Sequence, residues 1–278
     1  MRWWLVLLLV TLGCSRREEP SPTPGAAQIR VISLTPSSTE VLAALGATHL
    51  LVGVDDYSTF PPEVKALPKV GSFLAPNLET IVALRPTLVV VDDVHGPAAG
   101  AMRDAGLVTV ECPIHALPDV KQALVTIGGK LGRVAEATRA VAEIEAAIDA
   151  ARANRPAKRP RVLAILDREA GGLGNLVAAG PGSWIDELLA IAGAENVLAA
   201  SGVRYPKLSM EEVQRGQPDV ILDLSFAGRG GVEVWSAAEV PAVTHGRVTA
   251  LSDPALTAPS PRIQHALALV AGALAEKP

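Results

Sequence analysis

Cysteine is nearly absent: Cys14 and Cys112 are the only two in 278 residues. Cys14 falls within the leader described below, so Cys112 has no partner for an intramolecular disulfide. Within Val110-Glu-Cys-Pro-Ile114, beside an expected strand, it reads as a buried, inert thiol. Aromatic residues make up 3% of the chain. Past the leader only Tyr57, Phe60, Phe73, Trp184, Tyr205, Phe226 and Trp235 remain, so the core must be Ala, Val, Leu and Ile. Basic charge is not in surplus. The net charge of −4 argues against a nucleic-acid partner, because phosphate binding needs a basic surface. Nucleotide loops fail too. Val177 stands where the third glycine of a dinucleotide loop starting at Gly172 belongs, and Gly128-Gly129-Lys130 is followed by Leu131 instead of a hydroxyl. There is no Gly-x-Ser-x-Gly, no nucleophile–base pair, and no pair among His49, His95, His115, His245 and His265 at metal-ligand spacing. An exported α/β enzyme therefore has no catalytic group to rest on, and no resident metal or cofactor is expected.

The longest apolar run, Trp3 to Leu12, is too short to span a bilayer. It follows Arg2 and closes on Gly13-Cys14, as an export signal does, so residues 1–14 are read as a leader. Thr11-Leu12-Gly13-Cys14 resembles a lipoprotein signal, imperfectly at its first two positions; a plain secretory peptide cut nearby is the alternative. On the lipoprotein reading Cys14 carries the lipid, and residues 15–28, rich in proline and charge, are an extended tether.

What the chain does have is one element twice. Residues 77–92 run from Asn77 through Glu79 and Pro86 to Asp92, and residues 209–223 from Ser209 through Glu211 and Pro218 to Asp223. Each copy reads as a capped helix stopped before proline, then a buried parallel strand. The pair implies two similar lobes, each showing a glutamate at the start of a surface helix. Glu79 and Glu211 either just favour the helix macrodipole or present matched negative charges to a two-fold partner.

The alternation of strands and helices predicts an α/β protein: two Rossmann-like lobes with mostly parallel sheets, at residues 29–118 and 160–278. The first is expected to open with a strand at Ile29–Leu34, a hydroxyl-rich turn with an acidic first turn, and a helix at Val41–Leu45. Residues 119–155 contain no proline and have helical apolar spacing. One helix there would be about 50 Å long and would strut the lobes rigidly; two helices broken at Gly128, Gly129 and Gly132 are the alternative. Most aromatics fall in loops at strand ends, where they read as pocket lining or as plugs on the core. His95, after the strand Leu88–Val91, reads either as a ligand to the metal of a bound molecule or as an ordinary loop residue.

Four stretches carry a family resemblance: Arg30-Val-Ile-Ser-Leu-Thr-Pro-Ser-Ser-Thr-Glu40, Gly53-Val-Asp-Asp-Tyr-Ser-Thr-Phe-Pro-Pro62, Asn77-Leu-Glu-Thr-Ile-Val-Ala-Leu-Arg-Pro86 and Ser260-Pro-Arg262. With them the chain after the tether resembles the class III substrate-binding proteins of ABC importers, which take cobalamin, haem or ferric siderophores. It looks closest to the cobalamin-binding members. The resemblance implies a shallow cleft with little hinge closure. It places ligand contacts at Tyr57, Phe73, Asp92, Tyr205, Asp253 and Thr257, and permease docking at Glu79 and Glu211. Asp92 replaces an aromatic of the family, and the loop near Thr257 lacks an arginine found in relatives, which implies a more polar cleft. A lipid-anchored, extracytoplasmic monomer that passes a corrinoid to a permease is the expected function. Haem or a ferric siderophore is the alternative cargo, with Tyr57, His95 or Tyr205 as iron ligands, or Arg204 and Arg229 as partners for an anionic chelate. A sensor without a permease is a further alternative, against which the paired glutamates argue.

Overall fold

A computed structural model describes residues 28–225 and 231–275. The leader, Cys14, nearly all of the tether, Phe226 and Arg229 lie outside the described residues. Among the described residues no helix is long and apolar enough to cross a membrane.

The first lobe starts with β1 (Val31–Ser33), α1 (Pro36–Ala44) and β2 (Leu51–Val54). A two-stranded ribbon follows, β3 (Gly71–Ser72) against β4 (Ala75–Pro76). Then come α2 (Leu78–Ala83), β5 (Leu88–Val91), α3 (Gly96–Asp104) and β6 (Thr109–Glu111). The four main strands form an all-parallel sheet in the order β2-β1-β5-β6. Helix α1 begins five residues earlier than its sequence suggests. Thr35 caps it by accepting from the Ser38 amide, and Pro36 takes the first position, where a missing N–H costs nothing. Glu40 therefore sits beyond the first turn, which holds no acidic residue.

Residues 119–155 are two helices, α4 (Leu117–Lys130) and α5 (Val134–Ala153), which corrects the single-helix expectation. Gly132, at φ +68°, turns the chain between them. Gly128 lets them pack: a Cβ there would sit 2.8 Å from Ala137 and 3.1 Å from the Arg133 carbonyl. The strut is α5 alone, roughly 30 Å long. It packs on α1 and α4 from the first lobe and on α6 and α9 from the second.

The second lobe runs β7 (Arg161–Asp167), β8 (Leu176–Ala178), α6 (Trp184–Ala192), β9 (Glu195–Asn196), β10 (Lys207–Leu208), α7 (Met210–Gly216), β11 (Val220–Asp223), α8 (Pro241–Thr244), β12 (Val248–Ala250) and α9 (Ile263–Leu274). Its sheet order is β10-β8-β7-β11-β12, with β9 paired to β7. β7, β9, β11 and β12 pair in parallel, whereas β8 and β10 form an antiparallel edge.

Strand alternation sorts the core into three parts. Leu88 and Val90 of β5, Val162 and Ala164 of β7, and Val220 and Leu222 of β11 share one apolar cluster with α4, α5, α6 and α9. The opposite faces of the sheets have separate clusters, Val89 and Val91 in one, Leu163, Ile165 and Ile221 in the other. The inner faces of both lobes thus meet in one continuous core.

The repeat is real at atomic level. Asn77 accepts from the Thr80 amide and Ser209 from the Glu212 amide, each three residues on. Both copies end with a left-handed residue just before proline, Arg85 at φ 46° and Gln217 at φ 43°. Proline disfavours the right-handed helical region for its predecessor, so each helix is broken at the same place. The strands that follow, β5 and β11, each lie inside their sheet, flanked on both sides.

Asp223 ends β11 in a buried ion pair. Arg168 Nε donates to its Oδ2 at 2.8 Å, and Trp235 Nε1 donates to the same oxygen at 3.0 Å. Ser225 donates to Oδ1 from both its amide and its hydroxyl. Burial alone would raise the Asp223 carboxyl, but the bonds from Ser225, Trp235 and Arg168 outweigh it and hold it below the usual range. Arg168→Met should cost about 3–5 kcal/mol by stranding the carboxylate. In the wild type the pair's stabilisation is complete above the unfolded value of about 3.9 and disappears as pH falls through the lower folded value. Urea melts followed by Trp235 fluorescence test both; an Arg168→Met midpoint equal to wild type would contradict the assignment.

Candidate functional site

The parallel strands of the first lobe end on one side, and their following loops face the loops of the second lobe across a cleft of about 930 Å³. Ligands of open α/β sheets bind at such strand ends. The start of α1 brings its cap Thr35 and Ser37, the loop after β2 brings Tyr57, Thr59 and Phe60, and the ribbon tip brings Phe73. Asp92 follows β5, and His115 lies in the loop after β6. From the second lobe come Arg204 and Tyr205, ahead of β10, and Thr257 and Ser260, between β12 and α9.

Tyr57 stands on a loop wrapped round buried Asp55. Asp55 accepts from the Tyr57 amide at 2.9 Å and from the Ser58 hydroxyl, while Lys69 donates to the carbonyls of Asp55 and Ser58. Burial raises the Asp55 carboxyl above the ordinary range, partly countered by the bonds from Ser58 and Tyr57. A buried run of hydroxyls, Ser33, Thr35, Ser38, Thr39 and Ser58, ties this loop to the β1–α1 turn. The support is rigid and Tyr57 itself is 66% exposed; Tyr205, on the opposite lobe, is 52% exposed. Large aromatic surface left open on two facing walls is what a flat ligand can cover.

At the cleft floor the lobes are tied by charge. Arg262 Nε and Nη2 donate to the two oxygens of Glu40 at 2.8 and 2.7 Å. The guanidinium also lies 4.1 Å from the Phe60 ring centroid. Both Glu40 oxygens are thereby engaged, although its side chain lines the cleft.

Five of the six residues expected to contact ligand, Tyr57, Phe73, Asp92, Tyr205 and Thr257, line this cleft. Asp253 does not. Its carboxylate accepts from the Ala255 amide and bonds His265 Nε2, both at 2.8 Å, so it shapes the loop that bears Thr257. Burial works against that carboxylate, but His265 and the Ala255 amide hold it below the ordinary range. Glu79 and Glu211 lie away from the cleft, both exposed and both second in their helices. His95 is neither a ligand nor a solvated loop residue. It is buried; its Nδ1 accepts from the Asp92 amide at 2.8 Å and its Nε2 meets the Phe73 carbonyl at 2.8 Å. Trp184 and Trp235 are plugs in the core. Burial pushes the Cys112 thiol up to about 11, consistent with an inert role.

His115 escaped the sequence reading. Its Nε2 is 2.9 Å from Asp93 Oδ1 and 3.6 Å from Asp92 Oδ1, contacts made across 22 and 23 residues. Burial raises Asp92, with Asp93 adding to the rise; Asp93 is held down by hydrogen bonds with Asp92 and then His115.

Two α/β lobes, a single α-helical strut and an open cleft between their loops are the architecture of a two-lobed binding protein. The sequence profile of the periplasmic binding protein family matches residues 31–255, and the chain belongs to that family. It is a class III substrate-binding protein, of the kind that serves ABC importers. A vitamin B12-binding protein of Salmonella typhimurium is 31% identical over 236 residues, covering 82% of this chain and 79% of that one. The solved periplasmic heme-binding protein of Roseiflexus sp. RS-1 superposes with a TM-score of 0.79 at 32% identity, over 88% of this chain and 97% of that one. The periplasmic vitamin B12-binding protein of Vibrio cholerae superposes with a TM-score of 0.73 at 26% identity, over 88% and 96%.

Arg262 is the charged tie between the lobes at the cleft. Arg262→Ala should cost about 2–5 kcal/mol, since it leaves Glu40 without its partner between the lobes. Thermal melts of the single variants and the Glu40→Gln/Arg262→Ala pair test this; additive losses would show that the two do not interact.

Proposed function

We propose that this chain captures a cobalamin-type corrinoid in the inter-lobe cleft and delivers it to the permease of an ABC importer. The observation that carries this reading is the pair of exposed tyrosines, one on each wall, above a floor of hydroxyls where the buried Glu40 is already matched by Arg262. A corrinoid is flat, amphipathic and fringed with amides. Tyr57, Phe73 and Tyr205 suit its faces, and Thr35, Ser37, Thr257 and Ser260 suit its amides. Asp92 adds an acceptor where the family has an aromatic. The vitamin B12-binding relatives support the same reading.

Haem is the second reading, favoured by His115, Tyr57 and Tyr205 as iron ligands and by the heme-binding relative. Its propionates would need cations. Among the described residues Arg204 is the one arginine lining the cleft, which is why the amide-rich ligand comes first. Glu79 and Glu211 dock the two lobes on the two halves of the permease through arginine partners. On this reading Cys14 is lipidated and residues 15–28 tether a monomer to the membrane outside the cytoplasm.

Calorimetric titration of residues 29–278 with cyanocobalamin should give one-to-one binding, weakened in Tyr57→Ala by about 1–2 kcal/mol, or roughly five- to thirtyfold in Kd. Binding of haemin alone, with a shifted Soret band, would transfer the assignment to haem. For docking, Glu79→Arg combined with Glu211→Arg should leave ligand affinity intact and abolish uptake in cells. Normal uptake by the double variant would remove these glutamates from the interface.

A further inference from the structure

We propose that Asp92, Asp93 and His115 form a site for a first-row divalent transition-metal cation on the first-lobe wall of the cleft. One donor atom from each lies within 4.8 Å of the others. The His115 Nε2 to carboxylate separations are 2.9 and 3.6 Å. Metal–donor bonds of about 2.1 Å give donor-to-donor edges of roughly 3.0–3.4 Å in six- or four-coordinate geometry, so only small shifts would seat a cation.

The donors are held from behind. Asp92 is buried, and its two oxygens accept from the amides of Val94 at 3.4 Å and Ile114 at 3.2 Å. His95, anchored on the Phe73 carbonyl, fixes the Asp92 amide. The His115 amide donates to Asp119 at the start of α4. Charge also favours a cation. Two adjacent carboxylates share one imidazole, and neither has a lysine or arginine within ion-pair distance among the described residues.

The donor set selects the class of ion. An imidazole with two carboxylates suits Zn²⁺, Co²⁺ or Ni²⁺, whereas Mg²⁺ and Ca²⁺ prefer oxygen alone. Asp92 and His115 both line the cleft, so the remaining coordination positions open toward water or a donor atom of the cargo. The proposal does not rest on the identity of the macrocycle.

The test is calorimetric titration of the full chain with ZnCl₂, no macrocycle present, with Co²⁺ in parallel to read ligand-field absorption. One Zn²⁺ per chain is expected, with affinity at least about tenfold weaker in His115→Ala and in Asp93→Asn. His245→Ala, an exposed histidine elsewhere, should bind as wild type. Both site variants alter partly exposed side chains, so unchanged melting curves will confirm that they fold. Absence of stoichiometric Zn²⁺ binding, or His115→Ala binding as tightly as wild type, would overturn the site. Mg²⁺ binding as tight as Zn²⁺ would overturn its metal class.

Discussion

The bidentate pair between Glu40 and Arg262 is where the two halves of this molecule become one binding site. Removing both charges from water is costly, and a two-point hydrogen-bonded geometry is what offsets that cost. The arrangement then does more than join α1 to the start of α9. Arg262 also faces the Phe60 ring and lies 3.9 Å from Asp253, whose carboxylate in turn holds His265. One guanidinium thus positions an aromatic wall from the first lobe and the hydroxyl-bearing loop of the second.

The duplicated element shows how one local design serves two ends. In both copies a capped turn of helix, a left-handed residue and a proline deliver a strand to the sheet interior, and an aspartate stands at or just past its end. After that the copies diverge. Asp223 is sealed by Arg168, Trp235 and Ser225 and supports the fold. Asp92 is held by main-chain amides, keeps a face toward the cleft, and meets His115 and Asp93. The difference lies in the partner supplied: a buried arginine in one lobe, an accessible imidazole in the other.

The two-lobed α/β plan was legible in the sequence because its signals are local. Caps at Asn77 and Ser209, and prolines at fixed distance, act along short stretches of chain. The break between α4 and α5 was visible as glycines, but its form depended on Gly128 approaching Ala137, a contact between helices. A place on the cleft wall was readable for Tyr57, Phe73, Asp92, Tyr205 and Thr257, which stand in turns and loops beside strands. Trp184 and Trp235 also precede or follow loops, yet the fold turns them inward. His115 carried no signal because its partners lie 22 and 23 residues away, joined only by strand order. Asp253 lies in the loop that bears Thr257, but its carboxylate is turned to His265 on α9, a contact across 12 residues.

The continuous core has a consequence for how a filled cleft is recognised. Inner-face side chains of both sheets pack into the same apolar mass around α5, so swinging one lobe against the other would open that mass to water. Empty and loaded forms then share nearly one outline. On the proposed docking, a membrane partner that meets both lobes at once cannot gauge occupancy by how far apart they stand. On that reading it must sense the cargo's own face at the mouth of the groove and must itself bring the force that frees the cargo.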